Sequence, residues 1–269
     1  MAGGLWVHRI EKCGGPAAII KAAQDTCADR IIVKTRDGRT AYNKPGAPEL
    51  ASRAADAGIP LYCWGWFYAA DEQGSLGYID LQAIGITDDA RRFSAAGVCL
   101  NLEASFSWGY GHRWAGRYND LFGSKAPRKR AIRERTRDLL LSVRSGLVDH
   151  QLTVSTFPIP SAHALAFDLM ARAADEIWPQ CYFRSMGWQN KVRKSLKQWR
   201  ELDSKSIRFT GPGWRGAAKA KSMVNAVRSE MGPWAPVDFW VLDLMDEEDL
   251  ATARDLMDVD PDGPGVSRC

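Results

Sequence analysis

Residues 60–104 contain three phrases that decide the fold: PLYCWGWFY (60–68), TDDARRFSAA (87–96) and GVCLNLEA (97–104). The first and last are short, apolar and rich in aromatic or branched side chains, and Pro60 and Gly97 open them, as expected of buried strands. The middle phrase opens on Thr87 with Asp88 and Asp89 behind it, which suits a helix start, where acceptors and negative charge are favoured. Two buried strands around a helix predict a parallel pair joined by a right-handed crossover.

The same alternation extends in both directions. Strands are predicted at 4–10 (GLWVHRI), 30–35 (RIIVKT), 151–157 (QLTVSTF), 175–183 (DEIWPQCYF), 206–211 (SIRFTG) and 237–244 (VDFWVLDL). Helices are predicted at 16–28, 48–57, 128–147, 161–173, 188–202, 216–231 and 246–257, with Pro16 and Pro48 in first turns. Eight strands alternating with eight helices predict a single (β/α)8 barrel over 1–269, ending in an acidic helix and tail at 246–269. An open doubly wound sheet would place a GxGxxG after the first strand, where Gly14 and Gly15 stand alone.

The composition is that of a globular chain: 269 residues, 45% apolar and 25% charged. No apolar run approaches the roughly 18 residues that span a bilayer, so no membrane insertion is expected. The opening MAGGLWVHRIEKC turns polar too early for a secretory leader, which predicts cytoplasmic synthesis without a signal peptide. Six cysteines (13, 27, 63, 99, 181 and 269) form no CxxC pair and are expected to be reduced thiols. His8, His112, His150 and His163 are scattered, so neither metal nor cofactor is expected.

Net charge is +4, unevenly distributed. Residues 243–262 carry nine acids against Arg254, whereas 113–144 carry ten bases against three acids. That basic block is either a solvated helix face or an attractor of anionic polymers. RKRAIRERTR (128–137) comes with no recognition motif, and GPGWRG (211–216) lacks the Lys-Ser/Thr of a phosphate loop, so no nucleic-acid partner is expected.

In such a barrel, chemistry sits at the C-terminal strand ends. These carry His8 and Arg9, Lys34 and Thr35, Trp64, Trp66 and Tyr68, Asn101 and Glu103, Thr156, Gln180 and Tyr182, Thr210 and Trp214, and Trp240 and Asp243. Asn101 and Glu103, two apart, share one face of their strand. Glu103 is then either a catalytic acid or half of an interior ion pair, with Lys34 as the candidate partner. Eleven tryptophans make the rim aromatic, and the loop SFSWGYGHRWAGRYNDLFG (105–123), which contains Trp108, reads as a cleft wall. Aromatic faces stack well on pyranose rings, so Trp64, Trp66, Tyr68, Trp108, Gln180, Tyr182, Trp214 and Trp240 are candidate substrate-binding residues for a glycan polymer. Trp6, Trp178 and Trp199 are expected in the core.

GVCLNLEASF resembles the Asp-x-Glu strand of the glycoside hydrolase family 25 lysozymes. It is also similar to glycosidase-like barrels of bacteria and their phages, in which phrases like ADEIWPQCYF and VSTFPIP recur. The resemblance implies that Glu103 is the general acid and that Asp243 matches a last-strand Asp. Asn101 stands where the family has Asp, and His8 where it has a first-strand Asp. The second carboxylate is therefore open: Asp243, Asp71, or a substrate 2-acetamido group that Asn101 would orient. The resulting expectation is a glycoside hydrolase acting on an amino-sugar polymer, with peptidoglycan as the expected polymer, which would need a holin or a virion to reach the wall. The alternative is a non-catalytic carbohydrate-binding or phage structural barrel, since fold alone does not prove activity.

Overall fold

The computed structural model describes residues 3–69, 78–103, 125–163, 165–182, 187–213 and 216–257. Its strands are β1 (Gly4–Val7), β2 (Arg30–Asp37), β3 (Thr40–Ala41), β4 (Leu61–Trp66), β5 (Gly97–Leu102), β6 (Gln151–Thr156), β7 (Glu176–Pro179), β8 (Phe209–Pro212) and β9 (Val237–Trp240). The helices are α1 (Pro16–Asp25), α2 (Ala47–Asp56), α3 (Tyr78–Arg92), α4 (Lys125–Gly146), α5 (Phe167–Ala173), α6 (Trp188–Glu201), α7 (Ala217–Met231) and α8 (Glu247–Met257). All strands but β3 pair in parallel, in the order β7-β6-β5-β4-β2-β1-β9-β8. The ends meet through bridges Ile177–Ile207 and Gln180–Thr210, with Cys181 N–H donating to the Thr210 carbonyl at 2.8 Å. The sheet thus closes into the expected α/β barrel.

Strand parity sorts the core into two layers. Val98, Leu100 and Leu102 of β5 face the helices, where they join Ile132, Leu139 and Val143. Cys99 faces inward with Trp6, Ile32, Tyr62, Trp64, Trp178 and Val241. Trp6 meets the rings of Trp64, Trp178 and Trp240 edge-on, with centroids 5.5, 5.6 and 5.1 Å away. Such contacts add about 0.5–1.5 kcal/mol each beyond burial. The barrel is plugged by indoles, not hollow. Trp199 lies in the outer layer against Phe167.

The base of the barrel is polar. Arg208, 3% exposed, donates from Nε to Asp238 Oδ1 at 2.6 Å and from Nη2 to Asp29 at 2.9 Å. Asp238, completely buried, also accepts the Gly4 N–H at 2.7 Å. One guanidinium thereby joins β8, β9 and the start of β2, while Asp238 ties in β1.

Several boundaries differ from the sequence expectation. Helix α3 starts at Tyr78 instead of Thr87, so Asp89 is not an acid of its first turn. It lies within the helix and accepts from Arg36 Nε and Nη2, at 2.6 and 2.7 Å. Residues 161–173 do not form one helix: a 3-10 turn at Pro160–Ala162 precedes α5. The last strand stops at Trp240, and Asp243 sits in a 3-10 turn, Leu242–Leu244. Asp37-Gly38 turns β2 back into the unanticipated β3, with Gly38 at φ +56°. Such Asp-Gly pairs are a strong hairpin signal.

Cys13, Cys63, Cys99 and Cys181 are free thiols, but Cys27 is disulfide-bonded, which corrects the expectation that every thiol is reduced. Cys99 and Cys181 are completely buried, and burial pushes both thiols up, away from the thiolate that a nucleophile needs. Among the described residues, no helix is long and apolar enough to cross a membrane, and no cluster of His, Cys, Asp or Glu could hold a metal ion.

Candidate active site

Glu103 directly follows β5 and is half-buried at the barrel mouth. Its Oε1 accepts from Gln180 Nε2 at 2.5 Å. The same nitrogen reaches Asn101 Oδ1 at 2.8 Å and Ser155 Oγ at 2.9 Å, so two amide hydrogens serve three oxygens. Gln180 is 7% exposed and Asn101 1%. Gln180 sits next to Pro179, the last residue of β7, in register with Thr210, and this aims its amide across the mouth at β5.

Tyr182 completes this group. Its ring lies 6.2 Å from that of Trp240, and its buried hydroxyl has no partner among the described residues. Burial first, and the Glu103 carboxylate next, push that hydroxyl well above the ordinary phenol range. It therefore keeps its proton, within the field of the Glu103 charge but not bonded to it.

A second group occupies the flank formed by β1, β2 and β4. Lys34 does not pair with Glu103. It is 1% exposed and binds Asp37 Oδ2 at 2.9 Å. Tyr68 donates to the other oxygen of Asp37 at 2.6 Å. The Lys34 ammonium lies 4.3 Å from the ring centre of Tyr42, 4.7 Å from Trp66 and 5.3 Å from Trp64. Asn43, in the left-handed region at φ +51°, donates to the His8 carbonyl at 2.8 Å and the Lys34 carbonyl at 2.9 Å. Tyr42 and Asn43 were not anticipated as mouth residues; the Asp37-Gly38 turn that returns the chain over the mouth was the available signal.

Asp243 belongs to this second group. Its Oδ1 accepts the His8 backbone N–H at 3.3 Å, and its Oδ2 lies 3.8 Å from His8 Nδ1. The His8 ring stacks on Tyr42 with centroids 5.4 Å apart. Burial first, and Lys34 next, hold His8 below its ordinary 6.5, while Asp243 pulls the other way. The unfolded chain therefore takes up this proton at a higher pH than the folded one. The resulting stabilisation is complete above about 6.5 and declines as pH falls from there toward the folded value. The His8 ring resonances in an NMR titration should show a midpoint below 6.5, and Lys34→Met should raise it. A wild-type midpoint at or above 6.5 would contradict the arrangement.

Among the expected sugar-binding rings, Trp66, Tyr68, Tyr182 and Trp240 are half-buried at the mouth. Trp64 is a correction: it is fully buried and donates from Nε1 to the Val7 carbonyl at 3.1 Å, so it packs the barrel and offers no face to a ligand. It also joins the two groups, with ring centroids 6.4 Å from Trp66, 5.2 Å from Trp240 and 6.1 Å from His8. Thr156 is fully buried and bonded to the Leu102 carbonyl. Trp108, the rest of 105–123, Trp214 and Asp71 lie outside the described residues.

No family model matches the sequence, and neither does any curated protein. Solved structures do share its fold. The chitinase of Chromobacterium violaceum ATCC 12472 superposes with a TM-score of 0.65 at 10% identity, covering 95% of this chain and 99% of that one. Catalytic domain 2 of a Group II chitinase from Ostrinia furnacalis, solved as a mutant in complex with penta-N-acetylchitooctaose, gives 0.64 at 8% identity, covering 100% and 98%. A β-D-glucuronidase from Dictyoglomus thermophilum gives 0.62 at 12% identity, covering 97% of this chain and 51% of that one. The chain thus has the same barrel fold as these glycosidases.

Proposed function

We propose that this chain is a glycoside hydrolase acting on an N-acetylated amino-sugar polymer, with Glu103 as its general acid. The observation that carries the reading is the cluster of Glu103, Asn101, Gln180 and Tyr182 beside Trp240: one carboxyl group surrounded by amide and hydroxyl groups suited to an acetamido substituent. The chitinases that share the barrel fold add support at the level of the fold alone.

A glycosidase needs a second group to meet the developing oxocarbenium ion. The Asp243 contacts described above are with His8, and Asn101 carries no charge. The substrate's own acetamido oxygen suits the role better. In this mechanism Glu103 gives its proton to the departing glycosidic oxygen as the acetamido oxygen bonds to the anomeric carbon. The Tyr182 hydroxyl and the Asn101 amide hold the acetamido in line. Glu103 then takes a proton from water, which opens the cyclic intermediate with net retention of configuration.

Chitin and peptidoglycan both contain the required sugar, and peptidoglycan is the finer reading that the family 25 resemblance favours. Soluble reducing ends released from each polymer by wild type, with Glu103→Gln alongside, provide the test. Release from either polymer by wild type alone supports the reading. Binding without release by either protein would favour a barrel that only binds glycans.

A further inference from the structure

The chemistry above leaves Lys34 without a part. Its side chain is 1% exposed, and sinking an ammonium among aromatic rings is costly unless charge and ring faces compensate. The Asp37 carboxylate and the rings of Tyr42, Trp64 and Trp66 supply that compensation. An apolar side chain would fill the same room at no such cost, so folding alone does not account for the charge.

Of those three rings, Trp66 is half-buried at the mouth and is in register with Asn101 across the β4–β5 pair. We infer that Lys34 is a positioning residue: its ammonium, held by Asp37, fixes the Trp66 ring as the platform for the sugar next to the one that Asn101 and Glu103 engage. This rests on the glycan reading above. Trp64, edge-on to Trp66 at 85°, limits the ring from one side, and the cation limits its rotation from another. Tyr68 holds Asp37 through its other oxygen, so the brace extends from β2 to the residues after β4.

The test is a double-mutant cycle on binding, in a Glu103→Gln background so that no turnover interferes. The probe is the N-acetylglucosamine pentamer, measured by calorimetry on the full chain. Trp66→Ala should weaken binding about tenfold and Lys34→Met about fivefold, and the double variant should be no weaker than Trp66→Ala alone. Lys34→Arg, which keeps the charge, should stay within about twofold. Should Lys34→Met not fold, Asp37→Asn, which releases the ammonium from a partly exposed partner, should give about a threefold loss that vanishes in Trp66→Ala. Unchanged affinity in folded Lys34→Met, or losses that multiply in the double variant, would overturn the inference and leave the glycan reading standing. If the background protein itself binds no oligomer, the glycan reading fails and the inference goes with it.

Discussion

Glu103→Gln is expected to lower the rate of glycan hydrolysis about a thousandfold while oligosaccharide affinity changes little, since a positioned proton donor contributes about 10²–10⁴ to such reactions. A glutamine keeps the size of the side chain and an oxygen that can accept from Gln180 Nε2. It cannot give a proton to the departing oxygen. The loss should therefore fall on kcat rather than on binding. Asp243→Asn makes the comparison informative. If the acetamido group is the internal nucleophile, this substitution disturbs His8 and costs less than about tenfold, far below the acid's contribution. If Asp243 is the second carboxylate, the two variants fail together. More than a tenth of wild-type activity in Glu103→Gln would remove Glu103 from the acid's role.

The second large effect lies at the opposite end of the barrel. Arg208→Ala should destabilise the protein by about 3–5 kcal/mol, the range for removing one partner of a buried ion pair. It strips the completely buried Asp238 of its 2.6 Å partner and breaks the tie from β8 to Asp29. Burial already pushes the Asp238 carboxyl above its ordinary 3.8, with Arg208 pulling it down. Without Arg208 it rises further, so the folded variant holds a proton that the unfolded chain releases. Stability of the variant then falls as pH rises above about 4, and its deficit should be smaller at pH 5 than at pH 7 in urea unfolding. Adding Asp238→Asn, which removes the charge but can still accept from Gly4, should recover about half the loss. A deficit under about 1 kcal/mol would mean that the base draws its strength elsewhere.

The barrel was legible because it rests on local pattern. Every parallel strand has an apolar stretch of its own, and the parity of Leu100, Asn101, Leu102 and Glu103 follows from a period of two. Boundaries that depend on distant partners were not legible. Thr87, Asp88 and Asp89 have the composition of a helix start, yet Arg36, 53 residues away, makes Asp89 an interior anchor. The placement of Glu103 at the mouth was readable, but its neighbour was not. Lys34 was the obvious cation for it, and Lys34 found Asp37 three residues away. Trp64 read as a rim residue because composition cannot tell a sugar platform from a barrel plug. Only the packing of Trp6, Trp178 and Trp240 around it decides that.

One of the two bridges that close the barrel between β7 and β8 pairs Thr210 with Gln180, the residue whose side-chain amide serves Glu103 and Asn101. One residue of the closing pair is therefore also the steering arm of the proposed acid. The backbone N–H of residue 180 ties back to the Thr156 carbonyl of β6 at 2.9 Å, the N–H of Cys181 makes the seam bond, and the residue-180 side chain steers. Altering the side-chain amide turns the arm loose and leaves these backbone bonds in place, while a proline there would also remove the tie to Thr156. The demands of the mouth and of the sheet thus meet at one position and act on different atoms of it.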